Sequence, residues 1–157
     1  TTEEPQWYER DTQRYVDVNA PDNILVSGRL QGGAWASVHV TSARLHSRGF
    51  RLEVYGQEGT LVATSRESPN TGWPKLMGGN TGDNELAELP IPDRLTWVPK
   101  NTPQGYPFNV AQMYRRFAEA IHSGQRVEPD FDTALERHKL LAAIERSSEE
   151  GKRQVLV

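Results

Sequence analysis

The change of hydrophobic period partway along the chain constrains its fold more than any other feature. In the first half, apolar and polar residues alternate in short runs with glycine-containing turns between them. The runs are residues 23–30, 34–40, 50–55 and 60–64, and the turns are residues 31–33 and 56–59. Alternation with a period of two is typical of β-strands that bury one face, and a short glycine turn between two such runs predicts a hairpin. We therefore expect two β-hairpins.

The spacing of apolar residues becomes helical from Asn109 onward. The apolar positions are Val110, Met113, Tyr114, Phe117 and Ile121. Asn109 is a suitable N-cap, and Gln112 stands three residues later as its capping-box partner. Gly124 is a typical helix terminator. The pattern predicts a first helix that begins at Asn109 and ends before Gly124.

A second helix is predicted from Asp130 or Asp132, either of which is a suitable N-cap, to about residue 150. A closing strand is expected over residues 153–157. Weaker strands are indicated at residues 15–18 and at 85–91, where Pro90 points to a sheet edge. With the helices over the aliphatic strand face, the class is α+β: an open, mostly antiparallel β-sheet with helices packed on one face.

The length of 157 residues suits one domain, so we expect residues 1–157 to form a single domain. Within it we distinguish a leading segment at 1–22, an irregular loop region at 66–108 and a helical part at 109–150. The loop region is rich in glycine and proline, whereas the helical part carries the periodic apolar stripes.

Composition excludes several functional classes. The chain has no cysteine, which rules out disulfides, thiol catalysis and cysteine-ligated metals. Its formal net charge is −3 and its basic residues are scattered, so we expect no nucleic-acid partner. No apolar run approaches the roughly 18 residues of a membrane helix, so we expect no membrane partner and a cytoplasmic location. The four histidines lack acidic neighbours at ligand spacing, so no metal site is predicted.

The second face of the predicted strands is polar and mixed in character. Its most prominent members are Arg29, Trp35, His39, Arg51 and Tyr55. A sheet covered by helices on one side only leaves such a face open. We predict that these residues form a homo-oligomer surface.

The loop region contains the candidate ligand-binding residues Trp73, Lys75 and Trp97. Two tryptophans and a lysine can enclose a polar ligand such as a sugar, and long loops in compact domains are often functional. The alternative is that both tryptophans pin the loop to the sheet, because a large aromatic side chain is first a source of buried area.

No sequence motif for phosphate binding is present. The glycines at 56 and 59 lie between two predicted strands, and the glycines at 78, 79 and 82 lack the Lys-Ser/Thr of a P-loop. A dinucleotide fingerprint requires a strand, a glycine turn and a helix in that order. We therefore expect this chain itself to bind no cofactor.

Several segments in order resemble the C-terminal domain of the Gfo/Idh/MocA family (glucose–fructose oxidoreductase, inositol dehydrogenase and rhizopine catabolism). The segments are LVSGRLQGGAWASVHV, FRLEVYGQEGTLV, FAEAIHSG, PDFDTALERHKLLAAIERSSEEG and RQVLV. The resemblance implies a two-domain parent in which an N-terminal Rossmann domain binds NAD or NADP and carries a catalytic lysine in a Glu-Lys-Pro motif. It implies that the C-terminal domain contacts substrate and forms the oligomer interface.

This chain lacks the Rossmann half and the Glu-Lys-Pro lysine, so no catalytic residue is assigned. The resemblance then implies a fragment, inactive alone, whose parent is an NAD(P)-dependent oxidoreductase acting on a sugar, polyol or related hydroxylated substrate. Two alternatives stay open. In the first alternative, the parent is a non-catalytic, nucleotide-sensing regulator of the same family. In the second, the chain is a stand-alone protein-interaction module.

Overall fold

The computed structural model describes residues 2, 4–42, 46–70 and 74–156. Over these residues the chain forms eight strands, a short 3-10 turn at Asp93–Leu95 and two α-helices. The strands are β1 (Gln6–Glu9), β2 (Arg14–Asp17), β3 (Asn23–Arg29), β4 (Trp35–Thr41), β5 (Phe50–Tyr55), β6 (Gly59–Ser65), β7 (Lys75–Asn80) and β8 (Ala87–Glu88). The helices are α1 (Tyr106–Ser123) and α2 (Phe131–Glu150).

All strand pairs of the described chain are antiparallel and fall into three sheets. Two are the hairpins β1–β2 and β3–β4, and the third has four strands in the order β5-β6-β7-β8. The hairpins predicted over residues 23–40 and 50–64 are both present. The predicted α+β class, with an open antiparallel sheet, is confirmed.

The chain divides into two compact units. The first comprises Thr1–Ser47 and Arg137–Val157. In it, Asp22 is only 6% exposed and joins two segments. Its carboxylate accepts a hydrogen bond from the backbone N–H of Glu4 at 2.9 Å, and its carbonyl accepts one from Ser42 at 2.9 Å. These bonds fix the leading segment beside the β3–β4 hairpin.

The second unit, Arg48–Glu136, holds the four-stranded sheet and α1. Its buried apolar residues include Val62 at the centre of β6 and Phe108 in the first turn of α1. The β5–β6 register pairs Glu53 with Val62, and the β6–β7 register pairs Val62 with Met77. Directly opposed residues share a face in an antiparallel sheet, so the register fixes which side chains stand together.

Helix α1 begins three residues earlier than the sequence predicts. Its N-cap is Gly105 with φ 85°, and Pro107 occupies the first turn. Proline suits this position because the N–H it lacks would have no partner within the helix. The predicted capping box of Asn109 and Gln112 is therefore wrong, since both residues lie inside the helix.

Helix α2 begins as predicted. The Asp130 carboxylate accepts a hydrogen bond from the backbone N–H of Thr133 at 2.9 Å, the usual geometry of an N-cap. The same carboxylate pairs with the Arg126 guanidinium, which also contacts Asp132. Asp130 is therefore the N-cap of α2, whereas Asp132 forms an ion pair with Arg126 of the preceding loop.

Four other expectations are corrected. The region 66–108, predicted as an irregular loop, contains strand β7, and the strand predicted at 85–91 shrinks to Ala87–Glu88. Residues 153–156 form no strand, and residue 157 lies outside the described residues. The aliphatic side chains of Leu52 and Val54 are 50% and 51% exposed, so α1, which belongs to the same unit, does not cover this part of the sheet.

Candidate functional site

The polar face of the four-stranded sheet, here called the charged face, gathers ionisable and hydroxyl side chains from four strands. Its members by register are Arg51, Glu53, Tyr55, Thr60, Thr64, Lys75 and Glu88, around the apolar pair Val62 and Met77. The side chains of Arg51 and Lys75 are 60% and 55% exposed. The charged face thus presents donors and acceptors to solvent from a rigid β-scaffold.

On β5, Glu53 is the centre of a three-residue network. Its carboxylate accepts a hydrogen bond from the Tyr55 hydroxyl at 2.7 Å and another from the Arg51 guanidinium Nε at 2.7 Å. The hydrogen bond from Tyr55 is the largest cause that lowers the pKa of the Glu53 carboxyl, and the hydrogen bond from Arg51 is the second. The same bond to Glu53 raises the pKa of the Tyr55 hydroxyl. The network therefore holds Glu53 ionised and Tyr55 protonated.

The network follows from the two-residue period with which side chains alternate along a β-strand. Residues 51, 53 and 55 point to one side of β5 because successive side chains alternate between faces, so the three polar groups stand in line. Of the five residues predicted to share one open sheet face, Arg51 and Tyr55 lie together on β5. The other three belong to the separate β3–β4 sheet, so the prediction of one common sheet face is wrong. The same alternation predicts that Glu53 lies on this face, but it does not predict that Glu53 is the centre of a hydrogen-bonded network.

Lys75 lies on the same face. It begins β7 and forms an ion pair with Glu88 of β8, with 3.0 Å between Nζ and Oε2. The β6 residue Thr64 is paired with Arg51 on one side and with Lys75 on the other. The candidate ligand-binding lysine and the predicted oligomer-surface arginine are therefore in one row across the sheet.

The other predicted oligomer-surface residues lie on the β3–β4 hairpin. Arg29 and Trp35 are directly paired, and the guanidinium carbon lies 5.9 Å from the indole ring centroid. The His39 ring nitrogen Nε2 is 2.8 Å from the Asn23 side-chain oxygen on the same face. Trp35 is 81% exposed, so an apolar surface at this hairpin is open.

Trp97 is held in the loop before α1 by several contacts. Its indole N–H donates to the carbonyl of Arg94 at 3.0 Å, and its backbone N–H donates to the Gln112 side chain at 2.6 Å. The Arg116 guanidinium lies 4.9 Å from the ring centroid. These contacts favour the anchoring interpretation of Trp97, with α1 rather than the sheet as the anchor.

The three candidate ligand-binding residues thus have different surroundings. Lys75 pairs with Glu88 on the charged face, and Trp97 contacts the helix. Trp73 lies outside the described residues. The role of all three in binding a ligand stays a prediction.

Two cavities lie along α1. The larger, of about 480 Å³, is almost entirely apolar and runs along the stripe Val110, Met113 and Phe117 to Val127 and Pro129. The smaller, of about 170 Å³, lies beside Phe108, Gln112 and Thr96. The sequence predicted the stripe, but as a buried helix face.

Several glycines of the second unit lie where the four-stranded sheet requires a tight turn or a close side-chain contact. Gly56 and Gly59 close the β5–β6 hairpin, with a hydrogen bond from the Gly56 N–H to the Gly59 carbonyl at 2.8 Å. Gly78 lies within β7, where a Cβ would come within 2.6 Å of the Leu89 side chain. A dinucleotide pyrophosphate is bound by a glycine turn that follows a strand and begins a helix. Neither the β5–β6 turn nor Gly78 is in such a position, so these glycines do not fit that group.

Among the described residues, no three histidine, aspartate or glutamate side chains come together as metal ligands. None of the helices described is long and apolar enough to cross a membrane.

Comparison with known proteins identifies the domain. A family model described as the C-terminal alpha/beta domain of an oxidoreductase family matches residues 3–157 of this chain. Comparison with curated proteins and with solved structures gives no significant match. The match agrees with the antiparallel sheet and the two following helices, and it covers nearly the whole sequence. The chain therefore belongs to the Gfo/Idh/MocA oxidoreductase family, as its C-terminal alpha/beta domain.

Proposed function

We propose that this chain is the substrate-binding and oligomerisation domain of an NAD(P)-dependent oxidoreductase that acts on a sugar, polyol or related hydroxylated substrate in the cytoplasm. The observation that carries the proposal is the charged face, an exposed array of donors and acceptors on a sheet that belongs to this family's C-terminal domain.

The chemistry of the charged face supports a hydroxylated substrate. Glu53 and Glu88 are acceptors for hydroxyl protons, and Arg51 and Lys75 are donors to hydroxyl oxygens. Charge-assisted hydrogen bonds of this kind are shorter and stronger than neutral ones. Lys75 is the residue of this face that we assign to substrate, with Trp97 holding the loop before α1 in place.

The nicotinamide cofactor belongs to another part of the parent protein in this proposal. The glycines of this chain do not fit a pyrophosphate, and cofactors of this type carry the hydride while the protein supplies positioning. The chain alone is then inactive, and its partner within the parent is a Rossmann domain.

The test is a turnover assay on the parent protein that contains this chain. Reduction of NAD⁺ or NADP⁺ in the presence of a panel of polyols and aldoses is followed by absorbance of the reduced nicotinamide. Substrate-dependent reduction supports the proposal. Dinucleotide binding without turnover of any panel member favours the regulator, and neither binding nor turnover favours the interaction module.

A matched pair of variants tests the assignment of Lys75. Lys75→Ala is expected to raise the KM for the hydroxylated substrate about tenfold with little change in kcat, since it removes one charged hydrogen bond made to substrate and transition state alike. Lys100→Ala, a lysine of the loop before α1, is the control and should leave KM unchanged. Equal KM values for both variants would contradict the assignment.

A further inference from the structure

The charges on the four-stranded sheet are sorted into two rows that run across the strands. The first row, here called the cation row, contains Arg51, Thr64 and Lys75. The second, here called the acid row, contains Glu53, Val62, Met77 and Glu88. The two rows are two residues apart along each strand, which is roughly 6.6 Å. A small ligand on this face therefore meets positive charge on one side and negative charge on the other.

The cation row retains hydrogen-bond donors for a ligand. Among the residues that the structure describes, Glu53 contacts the Nε and Nη2 atoms of Arg51, which leaves the two N–H groups of Nη1. Glu88 lies 3.0 Å from the Lys75 ammonium, which has three donors. Thr64 stands between the two cations, because it is paired with both residues, and adds a hydroxyl. Two positive charges and a hydroxyl thus stand side by side.

The ion pairs already present on this face do not block an anion. The side chains of Arg51, Lys75 and Glu88 are 60%, 55% and 67% exposed. Exposed ion pairs of this kind contribute little free energy, so an arriving anion competes with them at small cost. The planar guanidinium of Arg51 also matches the two oxygens of a carboxylate.

The acid row suits the rest of a sugar or polyol. Ionised carboxylates only accept hydrogen bonds, so Glu53 and Glu88 require donors such as hydroxyl groups. Between these two acids the row is apolar, and the half-buried Met77 offers a contact to the carbon atoms of the ligand. The two rows together are therefore complementary to a molecule that carries an anionic group at one end and hydroxyls along the rest.

We propose that the charged face selects a hydroxylated substrate that carries a carboxylate, such as a uronic or aldonic acid, with the carboxylate on the cation row and the hydroxyls on the acid row. The inference rests on the proposed function and narrows its substrate class. A carboxylate is favoured over a phosphate ester, because a phosphate group carries a charge of about −1.5 to −2 and would be repelled more strongly by Glu53 and Glu88.

Pairs of neutral and acidic compounds test the proposal on the parent protein. Glucose is compared with glucuronate, and glucitol with gluconate, by absorbance of the reduced nicotinamide. In at least one pair, kcat/KM is expected to be about tenfold or more higher for the acid, because hydrogen bonds to charged groups are the stronger ones. The KM of the acid should also rise with salt, whereas the KM of the neutral compound should not, since salt screens exposed charges.

Replacing Arg51 tests the cation row. Arg51→Gln keeps a donor for hydroxyl groups but removes the charge, so the acid-to-neutral ratio of kcat/KM should fall about tenfold, through KM. Arg51→Lys keeps the charge and should retain part of the ratio. The matched control is Arg115→Gln on α1, since Arg115 is 59% exposed and lies 2.6 Å from Glu119. If Arg51→Gln left the ratio as unaffected as Arg115→Gln does, the cation row would have no part in selecting the acid.

The outcomes separate this inference from the proposed function. Turnover of the neutral compounds as efficient as that of the acids overturns the carboxylate preference and leaves the oxidoreductase. Glucose 6-phosphate turned over better than glucuronate also overturns it, in favour of a phosphorylated substrate.

Titration calorimetry with glucuronate and gluconate covers the case in which nothing is turned over and the proposed function fails. Binding of an acid to the parent protein that Arg51→Gln weakens about tenfold would then still support the carboxylate site. No binding of either acid would overturn this inference together with the proposed function.

Discussion

Gln112 on α1 holds the backbone around Trp97 through both ends of its side-chain amide. Its oxygen accepts a hydrogen bond from the Trp97 N–H at 2.6 Å, and its nitrogen donates to the Leu95 carbonyl at 2.8 Å. A single side chain thus satisfies two backbone groups of a loop that has no strand partner at these positions. The loop is thereby tied to the second turn of the helix.

Replacing Gln112 with Ala is expected to lower the free energy of unfolding by about 1 to 2 kcal/mol, since two modest net hydrogen bonds are lost. Alanine is at least as good a helix former as glutamine, so the loss does not come from helix propensity. Urea denaturation measures the change. Arg115→Ala, on the exposed side of the same helix, is the control and should change stability by less than about 0.5 kcal/mol. Equal stabilities of the two variants would contradict the role of Gln112.

Two glycines with positive φ allow a comparison of backbone strain with steric clash. Gly49 has φ 80°, and a Cβ there would lie 2.2 Å from the Ser65 carbonyl oxygen. Gly124, after α1, has φ 67° but open space around its Cβ position. Gly124→Ala is expected to cost about 1 to 2 kcal/mol, the penalty of the left-handed region. Gly49→Ala should cost about 2 to 5 kcal/mol, because the β6 backbone must also move. Thermal unfolding of the two variants checks the order, and an equal loss would contradict the clash.

The fold was predictable where the determinants are local. The β3–β4 and β5–β6 hairpins follow from alternation and a glycine turn within a short stretch of chain. Strand β7 was missed because Gly78 and Gly79 have low strand propensity. Its pairing with β6 and the contact of Leu89 over Gly78 are long-range effects, which override that propensity. The start of α1 was missed because Asn109 resembles a cap, whereas Gly105 and Pro107 provide the actual start.

The candidate site was predictable only strand by strand. Alternation places Arg51, Glu53 and Tyr55 on one side of β5 without any knowledge of tertiary structure. That Lys75 joins Arg51 in one row depends on the register of both with Thr64 of β6. Register is set by pairing across the sheet and changes face with a shift of one residue, so no local pattern determines it.

The pKa of Glu53 should respond to its tyrosine neighbour. The Tyr55 hydrogen bond is the main cause that lowers this pKa, so Tyr55→Phe is expected to raise it towards the ordinary value of 4.5. Carboxyl NMR titration measures the change at that residue. Tyr8→Phe, which removes a hydroxyl from the β1–β2 hairpin, is the matched control. A Glu53 pKa that stays equally low in the Tyr55→Phe variant would mean that the Arg51 contact alone holds the carboxylate ionised.

The N-cap of α2 should make stability depend on acid pH. The pKa of Asp130 is lowered from its ordinary 3.8, chiefly by the hydrogen bond from the Thr133 backbone N–H. A carboxyl with a lower pKa in the folded state stabilises it above the unfolded pKa, and this contribution is lost as pH falls through the folded value. The stability difference between wild type and Asp130→Ala should therefore be constant near neutral pH and shrink below pH 3.8.

A second variant separates the charge of Asp130 from its hydrogen bond. Asp130→Asn keeps an oxygen that accepts from the Thr133 N–H, but it does not titrate, and it gives up the ion pair with Arg126. Its unfolding free energy should lie between those of the wild type and Asp130→Ala at neutral pH and approach the wild-type value in acid. Urea denaturation at a series of pH values measures all three proteins. If the wild type and Asp130→Ala differed by the same amount throughout the series, the ionised carboxylate would have no part in capping α2.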